Sequence, residues 1–319
     1  MKISRLVSTL LALILLGGCS NLAVRTAPAK QPQPSTSALA RHATVSFWDA
    51  FTNARYDDLP SVQRLLTAAY LEDPADPKVA LLLAHTHLWR VAERARLTPV
   101  PPEITDHLAV AERYFTEARV LAPDDARIPG WLGAVKLALG NVHREEGLTR
   151  EGYSLLKRSA EDVPRFHLFT LSFVMMNRPY DSPRFAEGVD AIWRNLELCS
   201  GRHFDRPHLV IDQAAYRAAR DFGDGRHVCY NGRIPHNLEG FFLHFGDVMV
   251  KSGQREAALT AWRAVKDVPE YATWRFKPAL EERLADVDGW MARLRDADPK
   301  NDPPVLSSST MACTACHAK

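Results

Sequence analysis

The sequence lacks the features that would assign it to nucleic acid, to a membrane span or to a common catalytic class. Lys and Arg number 40 against 38 Asp and Glu over 319 residues, spread along the chain, so no basic stripe is available to follow a phosphate backbone. The apolar run Leu6–Leu16 covers only eleven residues and includes Ser8 and Thr9, which is too short to cross a bilayer. The patterns G-x-S-x-G, H-E-x-x-H, G-x-x-x-x-G-K and G-x-G-x-x-G are all missing, so an enzyme is not the expectation. Cysteine is scarce at 5 residues, which excludes a disulfide scaffold. What is present, 46% hydrophobic and 24% charged residues, is the balance of a folded domain and excludes global disorder. The chain is long enough to bury a substantial core.

The placement of the cysteines says more than their number. Lys2 and Arg5 precede the apolar run, which ends in Leu16-Gly17-Gly18-Cys19. This resembles the signal peptide and lipobox of bacterial lipoproteins. The resemblance implies removal of residues 1–18, acylation of Cys19 and, with Ser20 following, sorting to the outer membrane. Each buried methylene of the acyl chains contributes roughly 0.8 kcal/mol, so such an anchor is effectively permanent. Cleavage takes away Lys2 and Arg5 and no acid, so the formal charge falls from +2 to zero. Residues 19–40, rich in Ala, Pro, Ser, Thr and Gln, read as the lipidated cysteine and an extended tether. That tether could reach roughly 60 Å at about 3.1 Å per residue.

Cys313-Thr-Ala-Cys316-His317 is the C-x-x-C-H pattern of c-type haem attachment. Two thiols at this spacing can add across the vinyl groups of one haem, and the adjacent imidazole can ligate the iron. The resemblance to c-type cytochromes implies one covalent haem c on Cys313 and Cys316, with His317 as proximal iron ligand. The setting departs from that family, because only Ala318 and Lys319 follow the motif. Residues 297–319 read as a flexible Pro/Ser-rich tail that cannot form a haem domain of its own. The sixth ligand then comes from the body, a partner, water or nothing; Met311 is near in sequence but would reach the opposite ring face only under strain.

Between these ends, residues 41–296 carry apolar residues at three- and four-residue spacing with Pro and Gly at the breaks, and no alternating strand pattern. The fold class expected is all-α. Ala111, Phe115, Ala118 and Pro123, then Leu132-Gly133 and Gly140, resemble the tetratricopeptide repeat, as do Phe245-Gly246, Gly253, Ala258 and Trp262. The register lapses between Gly147 and Arg220. The resemblance implies a degenerate tetratricopeptide-like solenoid of helical hairpins with flexible N- and C-terminal tails. Trp89, Trp131, Trp193 and Trp262 are expected in the core, as are Met175 and Met176.

The interruption, residues 199–236, is rich in histidine. Cys199-Ser-Gly-Arg-His203 is echoed by Gly225-Arg-His227-Val-Cys229, and His208 and His236 each follow a proline. In an oxidising compartment the leading expectation is a Cys199–Cys229 disulfide, worth roughly 3–4 kcal/mol in the chain-entropy model. Such a bridge would gather His203, His208, His227 and His236. His236, or His244 on the next helix, is then the candidate distal ligand to a folded-back haem, against a reading in which none of these histidines touches iron.

Two functions follow. The first is an outer-membrane-anchored monohaem c-type lipoprotein whose body docks a periplasmic or surface redox protein while the tethered haem transfers electrons. The other is a haem-independent periplasmic scaffold or solute-binding lipoprotein, resembling the T component of TRAP transport systems. Neither involves nucleic acid.

Overall fold

A computed structural model describes residues 26–212, 236–296, 298, 302–303, 305–306 and 309–318. Among them every regular element is helical. The helices are α1 (Ala38–Thr52), α2 (Leu59–Glu72), α3 (Pro77–Ala92), α4 (Asp106–Leu121), α5 (Arg127–His143), α6 (Glu146–Asp162) and α7 (Pro164–Met175). They continue as α8 (Pro183–Ser200), α9 (Leu238–Ser252), α10 (Arg255–Lys266), α11 (Lys277–Ala285), α12 (Val287–Leu294) and the short α13 (Thr314–His317). No helix among the described residues is long and apolar enough to cross a membrane.

Local chemistry sets the boundaries. The Asp73-Pro-Ala-Asp-Pro77 break ends α2, and the Asp76 carboxylate then caps α3 by accepting from the N–H groups of Lys78 and Val79 at 2.7 and 3.0 Å. Pro77 sits at the first helical position, where its missing N–H costs nothing. Ser37 and Ser182 cap α1 and α8 in the same way. Helices α11 and α12 are separate because the chain turns at Asp286, whose carboxylate caps α12.

The helices pack as successive hairpins: α1 with α2, α3 with α4, α5 with α6, α7 with α8 and α9 with α10. First helices also touch along an inner layer, α1 against α3 and α5 against α7. The hairpin arrangement thus continues through the stretch where the repeat spacing lapses. In α4, Ala111, Phe115 and Ala118 are wholly buried, as their spacing requires. Trp89, Trp193 and Trp262 are buried as well, whereas Trp131 is half-buried on the inner side.

Helices α5 and α6 approach closely. A Cβ on Gly133 would lie 2.6 Å from the Gly152 carbonyl, and one on Gly152 would lie 2.7 Å from the Gly133 carbonyl. Gly133→Ala should therefore cost about 1–3 kcal/mol. Gly147→Ala, at a position with open space in the same hairpin, should be neutral or slightly stabilising. Urea midpoints of the two variants check this, and equal midpoints would contradict the close approach.

Both tails differ from the expectation of free tethers where they are described. Near the N-terminus, Lys30 pairs with Glu117, the Gln33 N–H donates to the Ala75 carbonyl at 2.9 Å and the Ser35 N–H to Asp76 at 2.7 Å. At the other end, residues 309–318 are packed into the body. The array closes on itself there, with Arg275 donating to the Asn53 carbonyl at 3.0 Å.

Candidate functional site

The C-x-x-C-H motif forms α13 and sits between the first and last parts of the helix array. Cys313 packs against the core of α1–α3, while Ala315 and Cys316 enter the core built by α8–α12. The turn fits because its other residues are small: Ala312, Ala315 and Ala318 are all buried. Gly240 in α9 admits it, since a Cβ there would meet the Cys316 Cα at 2.4 Å.

Polar groups fix the turn at both ends. The Glu93 carboxylate, fully buried at the end of α3, accepts from the N–H groups of Cys313 and Thr314 at 2.9 and 2.8 Å and from the Thr314 hydroxyl at 3.0 Å. Its other oxygen pairs with Arg96 at 2.7 Å, and Arg96 also donates to the Thr314 hydroxyl at 3.1 Å. A carboxylate at the start of a helical turn meets its unpaired N–H groups and its positive end. At the other end, Asn237 donates from its N–H to the Cys316 carbonyl at 2.7 Å and from its amide to the Ala318 carbonyl at 2.8 Å. Trp274 donates to the Ala315 carbonyl at 3.3 Å.

Cys313 and His317 form part of the wall of a cavity on the inner side of the array. Its remaining lining comes from first helices: Phe47, Trp48 and Phe51 of α1, His85 and Trp89 of α3, Arg127 and Trp131 of α5 and Phe166 of α7. The cavity is open to solvent, and the space between its walls together with the mouth is about 750 Å³. Arg127 stands in the lining, held by Asp125 through a two-point pair at 2.8 and 2.7 Å. Burial pushes both motif thiols well above the ordinary cysteine range, with the Glu93 carboxylate adding to the shift. They are therefore protonated, which does not suit a reactive surface dithiol. No group of three or more His, Cys, Asp or Glu side chains among the described residues is placed to hold a bare metal ion.

Histidines collect around the motif, among them His236 of the insert, with His244 close by. The His236 ring lies 4.9 Å from that of His317 and stacks on Phe169 at 3.6 Å. His244 packs on Phe169 and Phe173 behind it. His203 and His208 face solvent with side chains 98% and 82% exposed, beside Glu197 and Asp205, away from the motif. His85 and His167 carry no local motif signal; only their helical spacing with apolar neighbours could have pointed to this inner face. The positions of Cys19, His227 and Cys229 lie outside the described residues. Cys199 is buried and disulfide-bonded.

The inner histidines are neutral. Burial lowers His85 to about 3, with charge on His317 and Arg127 acting in the same direction. Burial lowers His167 to about 4 and His244 to about 3. His167 is held as the Nε2–H tautomer, donating to the Arg127 carbonyl at 2.7 Å. On another face, His87 is lowered to about 4 by burial and by its neighbour His107, 2.8 Å away.

These shifts give the chain a pH dependence. The folded pKa values lie below the unfolded value of about 6.5, so the unfolded state takes up protons first as the pH falls. The stability associated with neutral His87, His167 and His244 is full above about pH 6.5 and drains as the pH approaches 4. At pH 5 each site withdraws up to about 2 kcal/mol. Urea midpoints should fall from pH 7.5 to 5, and a His87→Gln variant should fall less steeply. A flat profile would contradict the burial.

No protein-family model, curated protein or solved structure matches this chain. Function is therefore argued from the site alone.

Proposed function

We propose that the chain is an outer-membrane lipoprotein, anchored through Cys19, whose helical body houses one covalent haem c and passes single electrons to a periplasmic or surface redox protein. The observation that carries this reading is that Cys313 and His317 form part of the wall of an aromatic cavity. Cys313, in the cavity wall, and Cys316, one turn further on against Gly240 of α9, would hold the group by thioether bonds, and His317 would take the proximal iron position. Bound there, haem supplies a one-electron Fe(III)/Fe(II) couple. The aromatic rings of α1, α3, α5 and α7 exclude water, and Arg127 offers a cation to the carboxylate edge of the macrocycle. Glu93 and Asn237 hold the turn in place, so exchange with a partner would occur at a fixed cavity mouth rather than through a swinging tail. The tetratricopeptide-like character of the hairpins and a Cys199–Cys229 bridge belong to the same proposal.

The test is an optical redox titration of the full-length protein, matured in cells that carry cytochrome c assembly machinery. One single-electron wave is expected. A second reading, a haem-independent scaffold or solute-binding lipoprotein, is favoured by the same cavity, whose apolar lining and Arg127–Asp125 pair suit an amphipathic solute. Protein without haem absorption that retains its cellular role would support that second reading and overturn the first.

A further inference from the structure

We propose that His85, which lines the same cavity as His317, is the distal ligand to the haem iron. The inference rests on the haem reading above and adds the residue that completes the coordination. The contributing observations are the shared cavity, the packing of the His85 ring and the positions of every competing donor.

His85 and His317 are the two imidazoles among the lining residues of the cavity. His85 lies on the inner stripe of α3 with Leu81, Leu88 and Trp89, at the spacing that places residues on one helix face. Its ring is held edge-on between Phe115 at 5.0 Å and Trp131 at 5.1 Å, and it takes part in no hydrogen bond among the described residues. A polar ring oriented by two aromatic neighbours, with its nitrogens uncommitted and facing a cavity, is arranged to meet a ligand-seeking centre.

The other donors are placed differently. His236 is nearest to His317, but their ring centroids are 4.9 Å apart. Two imidazoles on opposite sides of one iron need about 6 Å between centroids, from metal–nitrogen bonds of about 2 Å plus the ring radii. A macrocycle therefore does not fit between His236 and His317; His236 flanks the proximal ring instead. His244 lies behind His236 and is not part of the cavity wall. His167 has its Nε2 committed to the Arg127 carbonyl. Met311 packs into the α8–α12 core rather than into the cavity.

The test compares full-length, haem-matured wild type with His85→Ala, His85→Met, His236→Ala and His244→Ala by optical and electron-paramagnetic spectroscopy, with intact mass on each. Wild type is expected to be six-coordinate and low-spin. His85→Ala should keep its covalent haem, lose the low-spin signal, bind carbon monoxide readily when reduced and recover low spin on adding imidazole. His85→Met should remain six-coordinate with a thioether-ligated spectrum, which separates loss of a ligand from loss of fold. The His236 and His244 variants should retain the low-spin signal. Covalent haem with an unchanged low-spin spectrum in His85→Ala would overturn this assignment and leave the haem reading intact. Wild-type protein with no covalent haem would overturn both.

Discussion

Replacing Glu93 with Ala should release the C-terminal turn from the body. One buried carboxylate satisfies two backbone N–H groups and a hydroxyl of that turn and balances Arg96, which itself reaches solvent. Each buried donor left without an acceptor costs about 1–3 kcal/mol, and three donors lose theirs here. A loss of about 3–5 kcal/mol exceeds what the short turn can recover from its alanine and cysteine contacts, so the expected outcome is local detachment before global unfolding. In the haem-free chain, Cys316, 1% exposed, should be protected from alkylation, and Glu93→Ala should expose it. Hydrogen exchange over residues 311–318 should rise in parallel. Glu93→Gln, which keeps an acceptor, should fall between the two. Unchanged protection of Cys316 in Glu93→Ala would show that this carboxylate does not hold the motif.

Arg283→Leu should destabilise the C-terminal half by a similar amount. Arg283 and Asp247 are 2% and 0% exposed and meet through two bonds at 2.5 and 3.0 Å. Burial pushes the Asp247 carboxyl up, while the guanidinium and the Leu306 N–H, 3.2 Å away, oppose that shift. Removing the arginine leaves an uncompensated buried acid, at about 3–5 kcal/mol. The double variant Asp247→Leu, Arg283→Met should regain most of the loss, because two apolar side chains leave no charge behind. Urea unfolding of the wild type and the two variants measures this; a double variant as unstable as the single one would contradict it.

The helical class was legible because it depends on short-range spacing. The proline pairs and the Asp76 cap mark the α2–α3 break, and Ala111, Phe115 and Ala118 mark the buried face of α4. Closure of the array was not legible, because it depends on contacts between its ends, such as Arg275 with Asn53. The tail misled for a related reason. Its Pro/Ser composition reads as a linker, yet the motif's alanines let one turn pack against Gly240. The histidines of the insert drew attention through their repeated Gly-Arg-His triplets, and sequence repetition does not say which side of a fold a residue faces. His203 and His208 face water. His85, far from the motif in sequence, reaches the same cavity because α1, α3, α5 and α7 share one inner layer.

The turn carrying Cys313, Cys316 and His317 is proposed to hold one haem in this cavity. Intact mass of the full-length protein, matured with cytochrome c assembly machinery and read beside its pyridine haemochrome spectrum, tests it most directly. The expected result is a chain carrying one haem through two thioether bonds, lost when Cys313 and Cys316 are both replaced by Ser. A wild-type chain at its haem-free mass with no haemochrome absorption would contradict the account.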